Sequence, residues 1–150
     1  MHAIAFLKQE HRKAQAAFRE IETASEHERD QLWSRLRPEL ELHERMEETH
    51  LYGPVAREVK AEGPLADWEQ THQEDVEEAE NLIGEIDGLE SSDDEWSATV
   101  KKLHGALEQH IRTEEQKIWP AIERVWDAAR LEQAGRQMEA MKSEQAKAAH

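Results

Sequence analysis

The chain contains no cysteine. Thiolate zinc sites, iron–sulfur clusters and disulfides are therefore excluded, and a reducing cytosol is compatible with that absence. Phenylalanine and tyrosine are nearly missing, with two and one, and only six glycines and four prolines interrupt the chain. Positive charge is also short. Nineteen Lys and Arg face 34 Asp and Glu, for a formal net charge of −15. No local basic patch offsets this, so no nucleic-acid partner and no anionic membrane are expected. No apolar run approaches a membrane span, and the start, Met1 to Lys8, lacks the layout of a secretory signal. A soluble cytoplasmic protein is the expectation.

What is present is helical periodicity. With 150 residues, 35% charged and 37% hydrophobic, the composition suits one all-α domain with charge-laced outer faces. From about His2 to Glu22, Ile4, Leu7, His11, Ala14, Phe18 and Ile21 recur every three or four residues on one face. Ser25 or Thr23 is placed to cap a second helix, from about Glu26 to Lys60. Its stripe is Leu36, Leu40, His43, Glu47 and then His50 or Leu51, and Pro38 within it predicts a kink or a restart. A third helix begins near Pro64 and carries Trp68, His72, Val76, Ala79, Ile83 and Ile86 inward. After a loop at Gly88 to Asp94, a fourth carries Trp96, Val100, Leu103, Leu107, His110, Glu114 and Ile118, with a kink at Pro120. Residues 1–126 read as an up-down-up-down four-helix bundle. Residues 127–150 read as a short C-terminal extra helix of the same domain, or as a partner-binding tail.

One signature occurs twice. His43 to Tyr52 and His110 to Trp119 both read His-x-x-x-Glu-Glu-x-x-aliphatic-aromatic, with a proline just beyond. Each puts an imidazole and a carboxylate one turn apart on an apolar stripe, where they are costly unless something satisfies them. A lone inward histidine such as His11 is more often a satisfied core residue. Four such histidines on four helices, with two glutamates, are more simply explained by two metal ions between the helices. Imidazole with carboxylate suits iron, manganese, zinc or copper. Glu47 and Glu114 would bridge the ions, His11, His43, His72 and His110 would cap them, and positions would remain for water or an incoming small molecule. The other carboxylate plan for a dimetal bundle needs Glu-x-x-His on two helices. Glu47 and His50 match it, but Lys117 holds the corresponding place in the fourth helix.

Several neighbours have alternative readings. His50 could supply a further nitrogen or a hydrogen bond to a ligand, or be a helix-end histidine. Tyr52 falls opposite His43 on an ideal helix and reads as packing, with approach to the metal as a phenolate left open. Glu115 is an alternative to Glu114 as ligand, and Glu48 and Glu115 otherwise face solvent or orient the ligand histidines. His2, His27, His104 and His150 read as surface residues.

On these two motifs, across about residues 4 to 126, the chain resembles the hemerythrin-like (HHE cation-binding) domains. The resemblance implies a four-helix bundle around a non-haem centre of two iron ions, oxo- or hydroxo-bridged. It implies His11, His43, His72 and His110 as terminal ligands and Glu47 and Glu114 as bridges. The chain departs from oxygen-carrying hemerythrins, which have a second histidine one turn after the third-helix histidine, where this sequence has Val76. They also place the last carboxylate, an Asp, one residue later, at Glu115 here. An iron with an extra open position suits reaction with O2, peroxide or nitric oxide, with catalase- or peroxidase-like turnover, or sensing, better than reversible oxygen carriage. The alternatives are an iron- or gas-responsive binding module without turnover, whose output would lie in the 127–146 segment, and a structural polar core with the six side chains pointing apart. A redox partner is left unidentified.

Overall fold

The computed structural model describes residues 1–148, and those residues form helices and turns with no strand among them. The main elements are α1 (Ala3–Thr23), α2 (Glu26–Glu47), α3 (Gly53–Glu58), α4 (Trp68–Asp87), α5 (Asp94–Thr113), α6 (Trp119–Val125) and α7 (Ala128–Ala148). A π-turn, Glu48–Tyr52, joins α2 to α3, and a second, Glu114–Ile118, joins α5 to α6. The four expected long helices are thus present, the second and fourth each built as helix, π-turn and short helix. No helix among the described residues is long and apolar enough to cross a membrane.

The ends follow from local chemistry. The His2 ring nitrogen Nδ1 accepts from the Ile4 N–H at 3.1 Å and caps α1. Ser25 stands at the N-cap of α2, and its hydroxyl donates to Glu28 at 3.3 Å. Helix α2 runs unbroken through Pro38, against the expectation of a restart. Pro38 and Ser34, whose carbonyl loses its donor, are both exposed, so water can satisfy that carbonyl. Trp33, Leu36, Leu42 and Met46 anchor the helix on either side.

The other two helix prolines act differently. The π-turns close with the Gly53 N–H on the Glu48 carbonyl and the Trp119 N–H on the Glu114 carbonyl. In each case the donor is the residue just before proline. A proline ring clashes with the carbonyl four residues back, and a widened turn relieves that clash. The kink expected at Pro120 is therefore a π-turn immediately before it.

Two apolar clusters lie along the bundle, and the inward histidines lie between them. One joins Ile4, Leu7, Met46, Leu51, Trp119 and Ile122 to the C-terminal Leu131, Ala134 and Met138. The other joins Phe18, Ile21, Leu36, Ile83, Ile86 and Trp96. The C-terminal helix is not short. It spans 21 residues and packs against α1 and the first π-turn. Gly135 meets the first residue so closely that a Cβ there would lie 1.7 Å from the Met1 carbonyl. Arg130 pairs with Glu58 through two nitrogens at 2.8 and 2.9 Å and lies 3.9 Å over the Trp126 ring. Lys142 pairs with Glu10.

Candidate metal centre

The six side chains marked by the sequence converge instead of pointing apart. His11, Glu47, His72, His110 and Glu114 are all buried, the two glutamates completely. His11 Nε2 stands 3.1 Å from Glu114 Oε1, and His110 Nε2 lies 3.2 Å from the same oxygen. Glu47 Oε1 lies 3.2 Å from His43 Nε2, 3.7 Å from His72 Nε2 and 3.9 Å from His110 Nε2. The rings pair off, His11 with His43 at 5.0 Å between centroids and His72 with His110 at 5.5 Å.

The structure adds Glu44, which the sequence reading passed over. Its Oε2 lies 3.0 Å from His72 Nε2. Donor atoms of His11, His43, Glu47 and Glu114 form one group, all within 4.8 Å of one another; Glu44, Glu47, His72 and His110 form a second. Glu47 belongs to both. On a helix Glu44 is one residue off the His43–Glu47 stripe, so helical periodicity does not mark it. Its only sequence signal is a break in the repeat, since Ile111 follows the second-copy histidine.

The fit to a cation rests on what these atoms lack. Nε2 of His11, His43, His72 and His110, with Glu44 Oε2, Glu47 Oε1 and Glu114 Oε1, are buried and have no partner of hydrogen-bond geometry. Leaving one such atom unsatisfied costs about 1–3 kcal/mol and more for a charged group, so seven facing one another form an unstable arrangement by themselves. A cation satisfies nitrogen lone pairs and carboxylate oxygens together.

Surrounding groups fix the ring orientations. Glu115 accepts from His11 Nδ1 at 2.8 Å and is itself clamped by Arg12. Asp75 accepts from His110 Nδ1 at 3.2 Å. A proton held on Nδ1 leaves the Nε2 lone pair facing inward, the form a metal requires. Glu115 thus orients a histidine, and Glu114 provides the inward carboxylate.

Tyr52 does more than pack. Nine residues beyond His43, it would lie about 180° away at roughly 100° per residue. The π-turn absorbs one residue and swings it back. Its hydroxyl donates to Glu114 Oε2, lies 3.3 Å from Glu47 Oε2, and accepts from Trp119 Nε1 at 2.8 Å. The outer oxygens of both inner glutamates are thereby held, and their Oε1 atoms are left to the cluster. Trp119 stacks on His11 at 4.7 Å, Trp68 on His110 at 5.7 Å, and Tyr52 meets His72 edge-on at 4.7 Å. His50 does not join them. It is half-buried against Gln137 of α7, and burial pushes its imidazole down.

Protonation reflects the crowding of carboxylates. Burial alone would push the His43 imidazole down, but the Glu47 charge reverses this and brings it up to about 9. His72 likewise resists burial and is pushed up to about 10 by Glu44 and Glu47. His110 is raised well above its ordinary value, burial being outweighed by Glu114 and Asp75. Burial pushes the Glu47 carboxyl up, yet His43 holds it well below the usual range. Burial beside Glu114 and Glu47 raises Tyr52 far above an ordinary phenol, so it keeps its proton. Without a cation, protons on imidazole balance these carboxylates; metal binding displaces them.

Among the other histidines, His2 caps α1 and His104 is half-buried. His104 stacks on Phe18 at 4.9 Å and contacts Glu22 and Glu108. His150 lies outside the described residues.

A helical bundle whose buried histidines and carboxylates converge in this way defines a cation-binding helical domain. Residues 2–122 match the hemerythrin HHE cation-binding domain. The chain belongs to that family. No curated protein and no solved structure gives a significant match.

Proposed function

We propose that the chain holds two iron ions and reacts with O2, peroxide or nitric oxide. His11, His43, Glu47 and Glu114 would hold one ion and Glu44, Glu47, His72 and His110 the other, Glu47 being common to both. The observation that carries this reading is the convergence of seven buried, unpartnered donor atoms. Four donors per group leave positions for a small molecule. Glu44 stands on the His72 side, where Val76 replaces the histidine of the oxygen carriers. When bound, the iron pair would supply redox-active Lewis acidity. The chain's own residues do the rest. Glu115 and Asp75 hold protons on Nδ1 of His11 and His110. Tyr52 keeps its proton between Glu114 and Glu47. Trp119, Trp68 and the aliphatic residues above and below shield the centre from bulk water except along the seam between α2 and α4. Elemental analysis after iron loading should give two irons per chain, and the absorption spectrum should change on adding peroxide, oxygen or nitric oxide. A spectrum indifferent to all three ends this reading.

A sensing role has one supporting observation. The π-turn that carries Tyr52 also carries His50, and this turn packs against α7. Iron occupancy would then alter hydrogen exchange in α7, and identical exchange with and without iron would count against it.

A further inference from the structure

Three seams between neighbouring bundle helices are closed, α1 with α2, α4 with α5 and α1 with α5. The fourth, between α2 and α4, is sparsely packed, and a cleft of about 1040 Å³ runs along it. Glu44, His72 and His110, on the side of the centre away from His11, form a polar stretch of its lining. Its walls are apolar. Leu40, Val76, Ala79, Ala106 and Leu107 line it, and all five are only partly buried. Elsewhere among the described residues, exposed large hydrophobics are confined to Met1 and Val125. Leu32, Val59, Leu89 and Met141 are also partly buried and lie outside the cleft, but these five are gathered in one strip that leads to the candidate ligands, the pattern of a binding site. The mouth is acidic. Glu41, Glu48, Glu77, Glu78 and Glu80 border it, with Arg45 as the opposing charge. A carboxylate-bearing guest would be repelled there. Diatomic gases and hydrogen peroxide are a few atoms in size and need no such strip; organic ligands occupy pockets of roughly 300–1,000 Å³.

We propose that the cleft binds an uncharged organic hydroperoxide, its hydrocarbon body along the Leu40–Val76–Leu107 strip and its O–O end toward Glu44, His72 and His110. This rests on the peroxide reading above and names its substrate class.

The probe is 2-phenylpropan-2-ol, the unreactive alcohol with the carbon skeleton of cumene hydroperoxide, titrated into the full chain and followed by heteronuclear NMR. Saturable binding is expected, with shifts centred on Leu40, Val76, Ala79 and Leu107. Ala79→Trp, which fills the strip, weakens binding at least about tenfold, and so does replacing the alcohol by 2-phenylpropanoate, a carboxylate of similar shape. Thermal melting checks that the variant is folded, and Ala106→Phe replaces it if it is not. Non-saturable binding, shifts away from the strip, equal affinity for the carboxylate, or unchanged affinity in a folded filled variant each overturn the proposal. Iron-loaded protein is then mixed separately with hydrogen peroxide and with cumene hydroperoxide. An absorption change at least about tenfold faster with the organic peroxide supports the cleft as its site. Response to hydrogen peroxide with no such preference overturns the cleft proposal alone. Indifference to both removes the peroxide reading and this proposal with it.

Discussion

Replacing Tyr52 by Phe tests how the two inner glutamates are held. The ring volume is kept, so the packing against Trp68 and His72 survives and only the hydroxyl is lost. That hydroxyl serves three partners, Glu114 Oε2, Glu47 Oε2 and Trp119 Nε1, all on buried side chains. A hydrogen bond to a charged group contributes about 1.5–3 kcal/mol, and a buried donor left unpaired costs about 1–3 kcal/mol. The 3.3 Å contact to Glu47 is long and adds little. The sum is a loss of roughly 3–5 kcal/mol, a large part of the 5–15 kcal/mol typical of a domain. At about 2–4 °C per kcal/mol for a chain of this size, the melting temperature should fall by roughly 6–20 °C. Urea denaturation and thermal melting of chelator-treated Tyr52→Phe, beside Trp119→Phe, provide the assay. The tryptophan variant loses the indole donor but leaves the bond to Glu114, so on the hydrogen-bond count alone it should suffer less. A Tyr52→Phe loss below about 1 kcal/mol would refute the bridging role, because an unpaired buried carboxylate and indole cannot both be that cheap.

Four further outcomes are expected. Glu44→Gln removes one charged donor from the His72 group, so competition with a chromogenic chelator should show one of two ions bound at least about tenfold more weakly; two ions with unchanged affinity would eliminate Glu44 as a ligand. Glu115→Gln and Asp75→Asn should each weaken metal binding by about 10–100-fold by loosening the Nδ1 proton on His11 and His110, read in the same titration. In the chelator-treated chain, His43 and His72 have folded pKa values raised to about 9 and about 10. Their contribution is full below an unfolded value near 6.5 and lost as pH rises through 9 and 10, so urea stability should be lower at alkaline pH than near pH 6, and a rise would contradict the sign. Gly53→Ala places a Cβ 2.7 Å from the Glu48 carbonyl in the π-turn, and should cost about 1–3 kcal/mol by urea denaturation, whereas Gly84→Ala, which meets nothing, should be tolerated.

The legible part of the centre was the part that repeats at helical spacing. His11, His43, Glu47, His72, His110 and Glu114 all fell on apolar stripes, and the structure brings all six together. Glu44 and Tyr52 were not legible at the site, for opposite reasons. Glu44 is on the wrong azimuth for its own helix but beside an open seam, where a long side chain can reach across to His72. A regular helix would put Tyr52 on the far side, and the π-turn changes its azimuth.

The helices, the inward ligand stripe and the doubled motif were legible in the residue pattern, because side-chain direction in a helix follows from spacing along one chain. Features that depend on two helices at once or on a broken period emerge from the packing. These are the sharing of Glu47 between two donor groups, the seating of Tyr52 on both glutamates, the docking of a 21-residue α7, and the open α2–α4 seam. Distances between helices are set by how side chains of different elements interlock, and no single-chain periodicity encodes them.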